Sequence, residues 1–342
     1  MTEGRQGTRL RRSRDRLRHP DLDVLVVALA TTAGWRGAVP ALLGAIERAG
    51  ARAAVASAAP TREVRTFALT DLVQARAART AAQAAVAAHR PRALIYASAT
   101  AALLGPQPGA IWFDSPAAEN RPGRHGVWQR PVERRRVATA PLLLPMSEGG
   151  LRALGALPRT PAVVLPVPVE PSAPRASGER DVAALAYAAD AEKKGLARIL
   201  AAWAAARRDG ETLLVAGQPA GPLGEGAAGT GLLPPEEYRA LLRRARVFVA
   251  APRHEDYGIA QLEALADGCR LVTTPGAGPY PARELARTLE PAFVSDDLSG
   301  AIRAALDTPT DDYAQRAAEL LTPYRRAAFD ATVRDRVLPA LL

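Results

Sequence analysis

Val247-Phe248-Val249-Ala250-Ala251-Pro252-Arg253-His254-Glu255-Asp256-Tyr257-Gly258-Ile259-Ala260-Gln261-Leu262-Glu263-Ala264-Leu265-Ala266-Asp267-Gly268 is the stretch whose reading decides the fold. Its β-branched and aromatic opening fits a buried strand. After a short loop, Gly258 precedes a run free of Gly and Pro that stops at Asp267-Gly268, which reads as a helix over 258–266. A strand that turns through a glycine into a helix exposes free N–H groups at the helix start, and these can grip a diphosphate. Glu255 falls in the loop and Glu263 on the helix, about a turn and a half from its start. Gly258 lets a phosphate approach the backbone, and the carboxylate deeper in the helix can accept the two hydroxyls of a ribose.

The pattern repeats in both directions. On the N-terminal side of this unit, 182–187 and 212–216 read as strands flanking a helix over 196–207. A helix over 235–245 follows, then the strand 247–250, and on the C-terminal side the strand 271–273. Earlier in the chain, strands over 24–30, 51–56, 93–96, 110–113, 142–145 and 163–167 alternate with helices over 38–49 and 72–89. Such alternation predicts an α/β architecture of parallel sheets with helices on both faces. Residues 168–179, rich in Pro, Ser and Gly, separate the two series as a linker. The expectation is two doubly wound, Rossmann-like domains, 21–172 and 178–325, facing across a cleft. Ligands would bind there at the carboxyl ends of the strands. A C-terminal helix, 326–342, would pack back on the first domain.

At 342 residues the chain is long enough for two cores of ordinary size. No apolar run approaches the roughly 18 residues of a membrane-spanning helix, and a lone cysteine, Cys269, excludes an internal disulfide. Both point to a soluble, cytoplasmic protein. The apolar run at 24–30 after an Arg-rich start has the outline of a secretory signal. Asp21 and Asp23 at its mouth and its short length favour a first buried strand. Of the ten surplus positive charges, five lie in residues 1–20, where seven Arg face Glu3 and Asp15. With no hydrophobic periodicity, this leader reads first as a solvated tail. The second reading is a hold on anionic lipid headgroups, which would put the chain peripherally at the inner membrane face. Nucleic acid is not expected as a partner, because no binding motif accompanies the charge.

The spacing Glu255-x7-Glu263, set in Glu-Asp-Tyr-Gly-Ile-Ala-Gln-Leu-Glu-Ala-Leu-Ala-Asp-Gly, resembles the signature of glycosyltransferase family 4 (glycosyl transferases group 1), which has the GT-B fold. The resemblance implies that Glu263 holds the donor ribose and that Glu255 lies against the transferred sugar. The amides of the Tyr257-Gly258-Ile259 segment would hold the distal phosphate. Tyr187-Ala188-Ala189-Asp190-Ala191-Glu192-Lys193-Lys194-Gly195-Leu196 is similar to the family's Lys-Gly segment, whose Lys neutralises the departing diphosphate. Lys194 matches that position, and Lys193 could share the task. Where the family carries an Arg after the preceding strand, this chain has Tyr187-Ala188-Ala189, which leaves Lys without its usual partner. Leu213–Gly217 and Gly229–Leu233 resemble the strand and base-binding loop between the two motifs, with Leu232 against the base.

In the first half the resemblance is diffuse. Thr31-Thr32-Ala33-Gly34-Trp35-Arg36-Gly37 matches a glycine-containing loop facing diphosphate and acceptor, with Gly37 at the following helix start and Trp35 and Arg36 beside the acceptor. Trp112-Phe113-Asp114-Ser115-Pro116 stands where the family often has a His, so Asp114 would orient the acceptor and Asn120-Arg121 would shape its site. The four histidines have no metal-ligand spacing to one another, and neither metal nor cofactor is expected. The implied activity is transfer of a sugar from a nucleoside diphosphate sugar, with retention of configuration, to a glycan, lipid-linked or small-molecule acceptor. Two alternatives stay open: a sugar-nucleotide epimerase on the same fold, and a sugar-nucleotide-binding protein weakened in turnover by the missing Arg.

Overall fold

The computed structural model describes residues 22–29, 33–62, 64, 66–155, 160–173, 180–308 and 312–342. The leader 1–20, Thr31, Thr32 and the end of the linker, 174–179, lie outside the described residues, as does the side chain of Arg36. The first series runs β1 (Val24–Ala28), α1 (Ala33–Arg48), β2 (Ala53–Ser57), α2 (Phe67–His89), β3 (Ala93–Ala97), α3 (Ala99–Ala102), β4 (Ala110–Phe113), α4 (Ala117–Asn120), α5 (Gln129–Thr139), β5 (Leu143–Pro145) and α6 (Glu148–Arg152). Its strands form a parallel sheet in the order β2-β1-β3-β4-β5. β1 and β3 are buried along their whole length, which is why they read as uninterrupted apolar runs.

The second series runs β6 (Val182–Tyr187), α7 (Leu196–Ala206), β7 (Leu213–Ala216), β8 (Gly221–Gly224), β9 (Ala227–Gly229), α8 (Pro235–Arg244), β10 (Ala245–Ala250), α9 (Ile259–Ala266), β11 (Arg270–Thr273), α10 (Pro281–Leu289), α11 (Leu298–Asp307) and α12 (Tyr313–Leu320). The sheet order is β11-β10-β6-β7-β9-β8, parallel except for the β8–β9 hairpin. The two parallel sheets with flanking helices are the doubly wound architecture that the alternation predicts.

Three sequence readings need correction. The stretch taken as a loop before a helix at 38 is helical from Ala33, so Gly37 lies a full turn inside α1. Residues 163–167 form no strand: Ala162 makes an isolated bridge to Leu143, and Val163 and Leu165 donate to the carbonyls of Leu143 and Pro145. Pro161, Pro166 and Pro168 supply no N–H, so the segment cannot carry a full ladder. The helical reading of 313–342 is broken into α12, α13 (Arg326–Thr332), a π-helical turn at Val333–Val337 and α14 (Leu338–Leu341).

Two straps cross between the sheets side by side. Val169 N donates to Tyr324 O (2.8 Å), Arg325 Nη1 to Val169 O (3.0 Å) and Arg326 N to Glu170 Oε1 (2.6 Å). The chain end then lies on the first half. Arg48 grips Asp330 through Nε and Nη2 at 2.7 Å each, Arg92 Nη2 reaches Leu342 O at 2.9 Å, and the buried Phe329 packs 6.1 Å from the Trp112 ring.

Candidate active site

Lys194 is delivered by the turn between β6 and α7. Asp190 organises that turn: its carboxylate accepts from Lys193 N (2.9 Å) and its carbonyl from Lys194 N (3.0 Å). Gly195 follows at φ 69°, where a Cβ would run into the carbonyl oxygen of Ala251, so only glycine lets the turn press against the end of β10. Glu255 comes from the loop after β10, fixed by its own N–H on Ala277 O at 3.0 Å. Lys194 Nζ and Glu255 Oε2 meet at 2.5 Å, and Gln261 Nε2 approaches the same oxygen at 3.4 Å. The two side chains are 20% and 8% exposed. Taking either charge this far from water alone is costly, and the pair offsets that cost.

α9 starts beside this pair. Gly258 has φ 80° and offers no side-chain cap, and among the described residues the N–H groups of Ile259, Ala260 and Gln261 have no acceptor. A Cβ at Gly258 would collide with the Tyr280 ring. Ile259 packs its side chain partly into the core and offers the site only its backbone. Tyr257 turns away: it is buried, and its hydroxyl donates to Val167 O at 3.2 Å, so its side chain ties the loop to the first strap.

Glu263, one turn further on, is braced by Arg239 of α8, with Arg239 Nη1 3.4 Å from Glu263 Oε1. The same guanidinium bonds Asp267 Oδ2 (2.7 Å) and Glu170 O (2.7 Å), and Asp267 also accepts from Ser172 N and Oγ. Glu263 is therefore anchored, through one arginine, to the strap that joins the two sheets. Burial raises the Glu263 pKa, Arg239 opposes that, and Asp267 adds to it.

Across the cleft stands Asp114, at the carboxyl end of β4. Its pKa is pushed up to about 7, first by burial and next by the negative charge of Asp256 from the opposite half. Asp256 pairs with His254 (3.1 Å), and that partner raises the His254 pKa. Glu133 behind Asp114 accepts from Ala117 N with both oxygens, and burial lifts it to about 7 as well. Ser147 Oγ donates to Pro279 O (3.3 Å), a further contact between the facing ends.

The remaining expected residues are scattered. Lys193 is exposed beside Lys194, and Leu232 is 84% exposed on the loop whose Gly231 O accepts from Gly217 N. Gly37 is exposed on α1, not at its start. Trp35 stands edge-on to Trp112 at 5.3 Å, half-buried against the core. Arg121 makes a two-point ion pair with the buried Asp71 (2.7 and 3.0 Å) and lies over the Phe67 ring, contacts that hold α2 to the β4–α5 connection. Four contributors were not singled out from sequence: Arg239, Asp267, Gln261 and the His254–Asp256 pair. The last three sit inside or beside the quoted stretch, whereas Arg239 carries no motif signal. Among the described residues no group of three His, Cys, Asp or Glu could hold a metal ion, and no helix is long and apolar enough to cross a membrane.

Solved structures with this architecture include WaaG, a glycosyltransferase involved in lipopolysaccharide biosynthesis, at 13% identity and a TM-score of 0.67 over 94% of this chain and 99% of that one. HepE of Anabaena, in complex with UDP-glucose, gives 12% and 0.64 over 92% and 99%. The UDP-forming α,α-trehalose-phosphate synthase of Burkholderia xenovorans gives 15% and 0.64 over 94% and 99%. No curated relative matches the chain. At such identities the likeness carries the fold, and the fold is that of GT-B glycosyltransferases. Residues 180–320 match the family model for glycosyl transferases group 1, a stretch that holds Lys194, Glu255, Gly258 and Glu263. Glycosyltransferase is thus the class to which fold and family match together point.

Proposed function

We propose that the chain moves a hexose from a nucleoside diphosphate sugar to an acceptor hydroxyl, without a metal or cofactor, retaining the anomeric configuration as family 4 enzymes do. The observation that carries this reading is the Lys194–Glu255 ion pair beside the uncapped start of α9. A cation and the amide N–H groups of a helix start stand there together, the two features that hold a diphosphate. As the bond to the sugar breaks, charge grows on the departing phosphate, and Lys194 stabilises that state more than the bound ground state. Glu255 holds the ammonium in place before donor arrives and lies against the sugar afterwards. Glu263, braced by Arg239, accepts the ribose hydroxyls, and Leu232 covers the base.

On the other wall Asp114 orients the acceptor, which would be a glycan, a lipid-linked sugar or a small molecule. Support for nucleotide-sugar chemistry comes from HepE, solved with UDP-glucose, and support for a sugar acceptor from the trehalose-phosphate synthase, solved with glucose-6-phosphate. The Arg-rich residues 1–20 would add a peripheral hold on anionic membrane. Their deletion should weaken binding to anionic vesicles at low salt and leave transfer to a soluble acceptor intact. The first test is a thermal-shift panel of UDP-, GDP- and ADP-sugars, since a ligand that binds only the folded chain raises its Tm. One nucleotide series should stand out, and release of its free nucleoside diphosphate should depend on acceptor. Stabilisation without turnover would instead favour a binding protein, and no stabilisation by any series would overturn the proposal.

A further inference from the structure

At the amino-terminal ends of β6, β10 and β11, some 10 Å or more from the carboxyl ends that carry Lys194 and Glu255, three guanidiniums line one open recess of ≈ 310 Å3: Arg180, Arg246 and Arg270. Each is pinned by backbone carbonyls. Arg180 Nη2 bonds Asp267 O (2.7 Å) and its Nη1 bonds Ala245 O, Arg246 Nη2 bonds Leu306 O (2.5 Å), and Arg270 Nη1 bonds Ala305 O. Carbonyls fix these groups in position and leave their charge uncompensated. Among the described residues none of the three pairs with a carboxylate. The described acids nearby are committed elsewhere: Asp181 to Arg244, Asp267 to Arg239, Asp312 to Arg316, while Glu211, whose pKa Arg246 helps to lower, is held by Arg303. Arg270 is only 7% exposed, and its Nε is buried with no hydrogen-bond partner.

Three like charges sharing a recess, one of them buried with a free donor, is an arrangement that costs stability unless an anion neutralises it. Burial and the repulsion of Arg246 and Arg180 bring Arg270 down to about 10, so it remains a cation at neutral pH. Planar guanidinium forks match phosphate oxygens, and the Tyr313 and Ala314 wall leaves room for an organic group attached to the phosphate.

We infer that this recess is a second ligand site, distinct from the donor cleft, which binds the phosphate group of a phosphomonoester or diphosphate. Two sources share that chemistry, a soluble phosphorylated metabolite and an anionic lipid headgroup. The test is thermal unfolding of the full chain with inorganic phosphate or pyrophosphate against chloride at equal ionic strength. It is run on the parent, on Arg246→Gln, on Arg270→Gln and on Lys194→Ala. Phosphate should raise the Tm of the parent and of Lys194→Ala by a few degrees. The gain should vanish in Arg246→Gln, whose partly exposed side chain can be lost without leaving a buried hole, even if Arg270→Gln proves too unstable to measure. Sedimentation with vesicles of phosphatidic acid against phosphatidylcholine then separates the sources. Pelleting with phosphatidic acid that is lost in Arg246→Gln assigns a lipid headgroup, and its persistence, with the phosphate shift lost, assigns a soluble ligand. The inference is overturned if phosphate gives no more than chloride, or if the shift survives Arg246→Gln and disappears in Lys194→Ala, which would put the anion in the donor cleft.

Discussion

At the carboxyl ends of the second sheet, Lys194, Glu255 and Glu263 are each held by an oppositely charged or amide-bearing neighbour and remain gathered around one uncapped helix start. At the facing ends of the first sheet, Arg121 is locked to Asp71 and Trp35 to Trp112, while Asp114 feels the charge of Asp256 and Ser147 bonds Pro279 O across the cleft. The second-sheet wall thus concentrates charged groups placed by turns of fixed shape. The first-sheet wall uses the residue types expected of a binding surface to hold its own helices together. A charged or aromatic residue in the right region of a sequence is informative only when a local turn constrains where it points.

The sharpest challenge to this contrast is Lys194→Ala. If the ammonium acts on the departing phosphate, turnover should fall by about two to three orders of magnitude, as for the loss of an oxyanion donor. Donor affinity should fall far less, and Lys193→Ala should behave like the parent. Full turnover in both variants, or inactivity of Lys193→Ala alone, would sink the assignment.

Arg121→Ala probes the other wall. Removing the guanidinium leaves Asp71, 4% exposed, with Gln129 as its remaining side-chain partner among the described residues. Breaking such a pair should lower stability by about 3 kcal/mol, read as a drop in denaturation midpoint, with the acceptor KM unchanged in the protein that remains folded. A raised KM at undiminished stability would return Arg121 to the acceptor site.

Glu263→Ala should weaken donor binding by about tenfold or somewhat more, the worth of hydrogen bonds to a charged group, and spare turnover at saturating donor. Calorimetric titration with the preferred nucleotide measures this, and unchanged affinity would remove the ribose role.

Asp114→Asn is expected to act on stability and to leave turnover little changed, and its effect should depend on pH. Asp114 titrates near 7 in the folded chain against an ordinary 3.8. Between those values the native state holds a proton that the unfolded chain has lost, so stability falls as pH rises, and the penalty is complete above about 7. Asparagine keeps the acceptor for Ser115 N and removes the charge beside Asp256. Its gain in Tm should therefore be largest at pH 8 and fade toward pH 4. Equal gains at both pH values would mean that the carboxyl is ionised throughout.

The buried parallel strands were legible because each must be apolar on both faces, and the second sheet's β6, β7, β10 and β11 were all read to within two residues. The hairpin β8–β9 was not, because Gly221-Pro222-Leu223-Gly224 and Ala227-Ala228-Gly229 hold no β-branched residue. Backbone bonding alone defines them, β9 to β7 and β8 to β9. In the site, Glu255, Gly258 and Glu263 were readable because one contiguous turn sets their spacing. Arg239 was not, since it lies on the polar face of α8 like any solvated cation until the packing of α8 on α9 brings it to Glu263. The shifted titration of Asp114 is likewise invisible in sequence, because its second cause, Asp256, is 142 positions away.

The return of the chain end to the first half also bears on the order of synthesis. Phe329, Val333 and Val337 are fully buried in the core shared with α1 and Trp112, and Asp330 caps the Arg48 fork. The first half, though made first, lacks a wall of its core until residues 326–342 leave the ribosome, by which time the second half has been translated. A nascent chain stalled near residue 320 would carry the second sheet's strands in full and still present an open apolar face on the first, a natural point for a chaperone to intervene.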